Sequence, residues 1–354
     1  MYDVVIIGGG VCGAAIAMYL SKYDINCCLI EKHDDLSHST DEVHIGIARS
    51  GYMFPSETIA ARLAVRGSEI LSEICQAFNV PYKRIGSLML AYGKKDDELL
   101  IDLYEQGIAN GVRGMELLDA ASVSEREPSV SQGVTSALYA PSAALTDPHT
   151  LYSEMCRYAK ENGIEFLSGC EVTEIEKING RFKITASDRE IGTSYIINTA
   201  GVHAGSSADL AGARDFNLLS ANWHGFTAET AEGMSIDSII ITCPDDETPS
   251  FIAAPAENGI FFGPDMFIDI SAEDATSAIS KNAPDLLTGE NICGFSGECA
   301  ISDEKDIIIR ESSCCRHFIN VAGVTPQMLS AIPAIGEYVG ELLEDLGLIL
   351  YEKE

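Results

Sequence analysis

Two short stretches of this sequence hold residue types and spacings that could do chemistry. Gly8-Gly9-Gly10-Val11-Cys12-Gly13 is a GxGxxG turn, and Glu31 follows 23 residues after Gly8. In such a turn Gly8 permits the tight reversal and Gly10 lets a pyrophosphate approach the N-terminus of the next helix. Gly13 lets that helix pack closely on its strand. An acid at the position of Glu31 is placed to accept hydrogen bonds from a ribose hydroxyl. The second stretch is DEVHIGIARSGYMFP, residues 41–55, with one histidine and one arginine among glycines. It has neither helical nor strand periodicity. Arginine keeps its charge at every physiological pH and grips a carboxylate or phosphate with two parallel hydrogen bonds. The question is which negative charge Arg49 meets.

The elements around these residues set their context. YDVVII (2–7) is an apolar β-branched run suited to a buried parallel strand. The glycine turn, the apolar helix GAAIAMYLSKY and the strand INCCLIE follow, the last ending in Glu31. This strand–turn–helix–strand–acid order is what a dinucleotide fingerprint requires. After Glu31 the alternation stops, whereas a nicotinamide-binding domain would add further βα units. Instead, helical patterns span 56–78, just after Pro55, then 96–110 and from Pro148 onward. Strands return in GCEVTEIEKI-NG-RFKITA, where Asn179-Gly180 marks a type I′ hairpin. SYIINTAG and HFINVAG (317–323) again run from strand to glycine, the second leading into a final helix. A nucleotide-binding sheet assembled from the N-terminus, a middle block and the far C-terminus is the layout of FAD-binding oxidoreductases.

Composition narrows the classes. At 354 residues and 46% apolar content, two closely packed domains are expected. A net charge of −31 would repel nucleic acid and anionic membrane surfaces. No run of eighteen apolar residues exists, and the N-terminus lacks a basic region and cleavage site, so a cytoplasmic protein is expected. Eleven cysteines without a CxxC or paired spacing read as reduced, mostly buried thiols rather than a metal site or disulfide framework.

The sequence resembles the FAD-dependent oxidoreductases of the D-amino-acid oxidase, glycerol-3-phosphate dehydrogenase and L-2-hydroxyglutarate oxidase type, above all the short bacterial glycerol-3-phosphate dehydrogenase-like proteins. The carriers are GGGVCG with Glu31, FNVPYKRIGSLMLAY (78–92), ALYAPSAALTDPHTL (137–151), INTAG (197–201), NGIFFGP (258–264) and FINVAG followed by SAIPAIGEYVGELL. The resemblance implies an α/β fold with a Rossmann-like FAD domain from 1–78, 146–215 and 301–354. An interleaved substrate domain, 79–145 and 216–300, would carry an antiparallel sheet built from roughly 80–92, 134–145, 216–265 and 293–300. It implies FAD contacts from Gly8, Gly10, Val11, Cys12, Gly13, Glu31, Lys32, Thr40, Gly46, Ile47, Val172, Thr199, Ala200, Gly201, Gly323, Met328 and Leu329.

Four departures from the family pattern fall around the reaction chamber. Relatives read N-S-G-x-x-H-A-G-Y in the loop after the acid, with the histidine near flavin and substrate. Here Arg49 stands at that histidine and His44 at the asparagine. A histidine can take a hydroxyl proton, whereas arginine can only bind or stabilise negative charge. It could also pair locally with Asp41 or Glu42. The family's F-[AS]-G-x-R has become Phe295-Ser296-Gly297-Glu298-Cys299, which removes an anion-binding arginine. An R-K-G-E-Y-like strand is replaced by Trp223-His224-Gly225-Phe226-Thr227, and S-P-G-L by Pro326-Gln327-Met328-Leu329.

The expected activity is hydride removal from a CH–OH carbon of a small acidic metabolite (a 2-hydroxy acid or a glycerol-3-phosphate-like compound) onto FAD. Arg49 would orient the substrate or stabilise charge, His44 or His224 would serve as base, and Tyr52 would donate a hydrogen bond. Oxygen, a quinone or a carrier protein would reoxidise the flavin. The alternatives are an amine or amino-acid oxidase, with Trp223 and Phe261 as an apolar wall, and a flavin-binding protein with a degenerate catalytic site.

Overall fold

The computed structural model describes residues 1–34, 45–130, 133–245, 249–256, 259–265, 267–284, 286–287 and 291–353. Its first sheet grows outward from Tyr2–Ile7, whose Val4, Val5 and Ile6 are fully buried. Cys27–Ile30 pairs parallel on one side and Arg189–Asn198 on the other. Glu165–Leu167 and Phe318–Ala322 extend the parallel array, and Ile308–Glu311 closes one edge antiparallel. The hairpin Val172–Ile178/Arg181–Ala186 is added to the early part of Arg189–Asn198. Its two-residue turn has φ of 52° at Asn179 and 81° at Gly180, the left-handed pair of a type I′ turn.

One face of this sheet is covered by the helices Val11–Leu20, Ile59–Phe78, Pro148–Glu161 and Ile332–Asp345. The helix after the glycine turn is buried from Gly13 to Met18 and again at Leu20. It therefore carries an almost uninterrupted apolar surface instead of an amphipathic stripe. The last helix meets it closely: a Cβ at Gly340 would lie 2.3 Å from the Tyr19 ring. Asp147 caps the Pro148 helix by accepting from the His149 and Thr150 amides at 3.0 and 3.3 Å. Thr58 caps the next-to-first helix, which starts at Ile59 rather than directly after Pro55.

The second sheet runs Cys293–Ser302, Leu218–Ala228, Gly259–Pro264, Phe251–Ala256, Ile239–Thr242, Ser87–Ala91, Ser136–Ala140, Glu116–Asp119. It is antiparallel except where Ile239–Thr242 lies parallel to Ser87–Ala91. The short exposed edge strand Glu116–Asp119 is not apparent in the sequence, because ELLD has no buried face to mark it. Tyr82–Arg84 joins Ile47–Ala48 and Ala144–Thr146 in a separate three-stranded sheet.

Alternation gives the large sheet two different faces. Phe226, Ala228, Ile260 and Phe262 pack with the helix Ala272–Asn282. Trp223, Phe261, Ile239, Ile241 and Ile252 point the other way and pack with Ile47 and Tyr52. Residues 47–52 are thus clamped between the cores of the two sheets.

Candidate active site

The glycine turn is fixed by contacts that leave no room for side chains at two of its positions. Gly8 has φ of +110°, and a Cβ there would sit 2.5 Å from the Thr199 carbonyl oxygen. A Cβ at Gly13 would sit 2.1 Å from the Gly8 carbonyl oxygen. Gly10 differs: its backbone is ordinary, with φ −66° and ψ −178°, and an added Cβ would meet nothing within 4 Å. Gly10 is the N-cap of the Val11 helix and no side chain caps that end. The helix therefore presents its first amides and positive dipole end toward open space.

Glu31 braces this turn from the neighbouring strand end. It is buried, accepting from the Gly9 amide at 2.7 Å and from the His33 amide at 3.0 Å. Each oxygen retains acceptor capacity beyond these bonds. The Tyr152 hydroxyl donates to the Gly9 carbonyl at 2.6 Å, and the Thr199 hydroxyl lies 2.8 Å from that of Gly8. Lys32 Nζ lies 2.9 Å from His203 Nε2, which ties the Glu31 side of the turn to the short Gly201–His203 helix. Gly8, Gly10, Val11, Cys12, Gly13, Glu31, Lys32, Thr199, Ala200 and Gly201 thus gather at the carboxyl ends of the parallel strands. Burial pushes the Cys12 thiol up to about 12, which keeps it neutral.

The remaining expected contact residues lie on the surrounding elements. Gly46 has φ of +75° and would place a Cβ 2.2 Å from the Thr146 carbonyl oxygen. Ile47 is buried on its short strand. Val172 begins the hairpin strand and packs on the core beneath it. Gly323, at φ +72°, follows the last parallel strand, and a Cβ there would lie 3.0 Å from Ser302 of the second sheet. Met328 and Leu329 are buried in the 3₁₀ turn Pro326–Ala331. Thr40 and His44 lie outside the described residues, as do Asp41 and Glu42.

Arg49 meets Asp265, a residue that sequence reasoning missed. Its Nη1 donates to Asp265 Oδ2 at 2.9 Å and its Nη2 to Oδ1, a two-pronged ion pair. The side chains are only 12% and 2% exposed. Burial works against the guanidinium's charge, but Asp265 outweighs it and holds the pKa of Arg49 above its usual value. Arg49 Nη1 also lies 3.7 Å from Met53 Sδ. Tyr52 is buried beside the pair, and its phenol is raised by burial, partly offset by the charge of Arg49. Arg49 and Tyr52 line a narrow cavity walled by Ile47, Ala143, Ile239, Ile241 and Ile252.

The structure separates His224 from this chamber. Trp223 and Phe261 stack at 5.8 Å on the chamber face, and Gly225 lies between Trp223, Phe261 and Phe295. His224 alternates to the opposite face, with Phe226, and its Nε2 lies 2.8 Å from Asp269 Oδ1. It cannot reach a substrate held beside Arg49 in this arrangement. Cys299 is also committed locally, its Sγ 3.5 Å from the Ala221 carbonyl oxygen.

Among the described residues nine buried side-chain polar atoms have no hydrogen-bond partner, and five of them lie close together in sequence on two segments: Arg49 Nε, Ser50 Oγ, the Tyr52 hydroxyl, Gln327 Oε1 and Ser330 Oγ. These five sit on the loop after Ile47–Ala48 and on the Pro326–Ala331 turn, which the strand Ile47–Ala48 touches. Buried polar atoms without partners are costly, so this cluster marks a place where another polar group belongs.

The family model described as FAD dependent oxidoreductase matches residues 3–342. The chain belongs to this family. It is an FAD-dependent oxidoreductase, with FAD as its cofactor. A glycerol 3-phosphate dehydrogenase from Caloramator mitchellensis is 31% identical, the match covering 100% of this chain and 76% of that protein. Among solved structures, the FAD-bound L-alpha-glycerophosphate oxidase from Mycoplasma pneumoniae superposes with a TM-score of 0.88 at 24% identity, covering 99% of this chain and 96% of that one. The L-proline dehydrogenase of P. horikoshii superposes with a TM-score of 0.84 at 20% identity, covering 97% and 93%. The oxidoreductase shares their fold over nearly its whole length. Among its described residues no helix is long and apolar enough to cross a membrane.

Proposed function

We propose that this oxidoreductase removes hydride from a carbon bearing a hydroxyl group in a small metabolite, in the chamber between the loop 45–54 and the second sheet. The FAD part of this reading is carried by an open, uncapped helix N-terminus at Gly10 together with partnerless buried polar atoms on the loop after Ile47–Ala48 and the Pro326–Ala331 turn. Both fit FAD. Gly10 and the Val11 and Cys12 amides would face its pyrophosphate, and Glu31 a ribose hydroxyl. Ser50, Gln327 and Ser330 would meet polar edges of the ring. FAD, when bound, supplies the acceptor for the substrate's hydride.

The chain's own residues then have defined tasks. Ile239, Ile241, Ile252, Trp223 and Phe261 exclude water from the chamber face, which strengthens any polar contact made there. Arg49 orients the substrate while Asp265 fixes the guanidinium's plane. Tyr52 stays protonated and can donate but not accept a proton. Residues 1–78, 146–215 and 301–354 would form the FAD domain, and 79–145 and 216–300 the substrate domain. Support for CH–OH chemistry comes from the glycerol 3-phosphate enzymes to which the chain is similar.

A second reading, oxidation at CH–NH, is favoured by one observation: no described histidine lines the Arg49 cavity. A neutral amine can lose hydride without a strong enzyme base, whereas an alcohol needs its hydroxyl proton removed. Anaerobic photometry of the FAD-loaded protein against hydroxy acids, glycerol 3-phosphate, amines and amino acids tests both readings. Bleaching by one compound identifies the class. Tight FAD without bleaching by any compound would favour a non-catalytic flavoprotein.

A further inference from the structure

We propose that Asp265 is a specificity-determining residue that makes the chamber charge-selective, favouring a zwitterionic substrate over a purely anionic one. The proposal rests on the reading that substrate is oxidised beside Arg49, and it holds for either CH–OH or CH–NH chemistry.

Arg49 is the one charged side chain among the described residues that line the cavity. Both of its terminal nitrogens are already engaged by Asp265. An entering carboxylate or phosphate has two options. It can join the pair, which leaves a net negative charge in an apolar cavity. It can instead displace Asp265, whose side chain is only 2% exposed and would lose its counterion. No second cation lines the cavity among the described residues to relieve either state. The chain's charge of −31 adds long-range repulsion to both.

A zwitterion avoids this penalty. Its anionic group can take one side of the guanidinium while its cationic nitrogen takes Asp265. One buried ion pair becomes two, and the chamber's net charge is unchanged. Asp265 directly follows the strand Gly259–Pro264, and its carboxylate, only 2% exposed, faces the guanidinium of Arg49 rather than the protein surface. A cationic nitrogen beside the anionic group is therefore the recognition feature that the pair selects.

The test uses FAD-loaded protein under anaerobic conditions, with perturbation of the flavin absorption spectrum as the binding readout, separate from turnover. The probes are matched pairs that differ by ammonium against hydroxyl: L-alanine with L-lactate, and L-glutamate with L-2-hydroxyglutarate. Glycerol 3-phosphate is added as a dianion. In the wild type the amino member of each pair should bind at least about tenfold more tightly. Asp265→Asn should reverse the order, tightening the hydroxy acids and weakening the amino acids by about tenfold each. Asp265→Glu, which keeps the charge, should retain the wild-type order. Tighter wild-type binding of the hydroxy acids or glycerol 3-phosphate, an Asn variant with an unmoved ratio, or no perturbation by any probe would overturn the proposal. Binding in the predicted order without flavin reduction would leave it standing while refuting the oxidation reading.

Discussion

Asp265→Ala should be the most damaging single change in the chamber, because it strands a buried guanidinium. Arg49 is 12% exposed and its principal partner is Asp265; Met53 Sδ at 3.7 Å is a poor substitute. Removing one member of a buried, two-pronged pair costs about 3–5 kcal/mol. An unfolding entropy of about 2.1 cal/mol/K per residue over 354 residues gives about 0.74 kcal/mol/K, so a loss of about 4 kcal/mol lowers the melting temperature by about 5 °C. The double variant Arg49→Met/Asp265→Leu removes both charges and should regain most of that loss, returning to within about 1–2 kcal/mol of the wild type. Calorimetric scans of all the variants, with and without saturating FAD, separate the pair's effect from any change in flavin binding. An Asp265→Ala scan that overlays that of the wild type would show that Asp265 does not hold the Arg49 guanidinium.

Two further outcomes follow from local geometry. The His317 pKa is lowered by burial first and then by Arg316 and Lys177, so the fold favours the neutral ring. Its contribution is present above the unfolded pKa of about 6.5 and is lost as pH falls through that value toward the folded one. Asn tolerates the φ of +67° there, so His317→Asn should fold and show a shallower loss of melting temperature on acidification. Tyr152→Phe removes the 2.6 Å bond to the Gly9 carbonyl; an FAD titration should show several-fold weaker binding, from a loss of about 1 kcal/mol.

Much of the scaffold is legible in the sequence because its signals are local. A β-branched run, a GxGxxG and an acid at the end of the next strand specify a strand, a turn and a brace without knowledge of distant residues. Asn179-Gly180 likewise sets its own hairpin. The partner of Arg49 is a different kind of fact. Asp265 is 216 residues away and is one of 54 acidic residues, with no local feature to distinguish it. Strand alternation separates His224 from Trp223 without any tertiary information: adjacent residues point to opposite faces, so the two cannot both line one chamber. The helix start at Ile59 was also marked, by Thr58 as a cap, although Pro55 gave the stronger apparent signal.

Gly10→Val asks whether FAD is held at the Gly10 end of the Val11 helix. A Cβ there meets nothing and the backbone is not strained, so the variant should fold in the absence of FAD, its melting temperature lowered by only about 1–2 °C through the poorer N-cap. The new side chain would occupy the approach of the pyrophosphate. Equilibrium dialysis should then show FAD binding weakened about a hundredfold, the equivalent of about 3 kcal/mol of overpacking. An FAD affinity equal to that of the wild type would contradict the account.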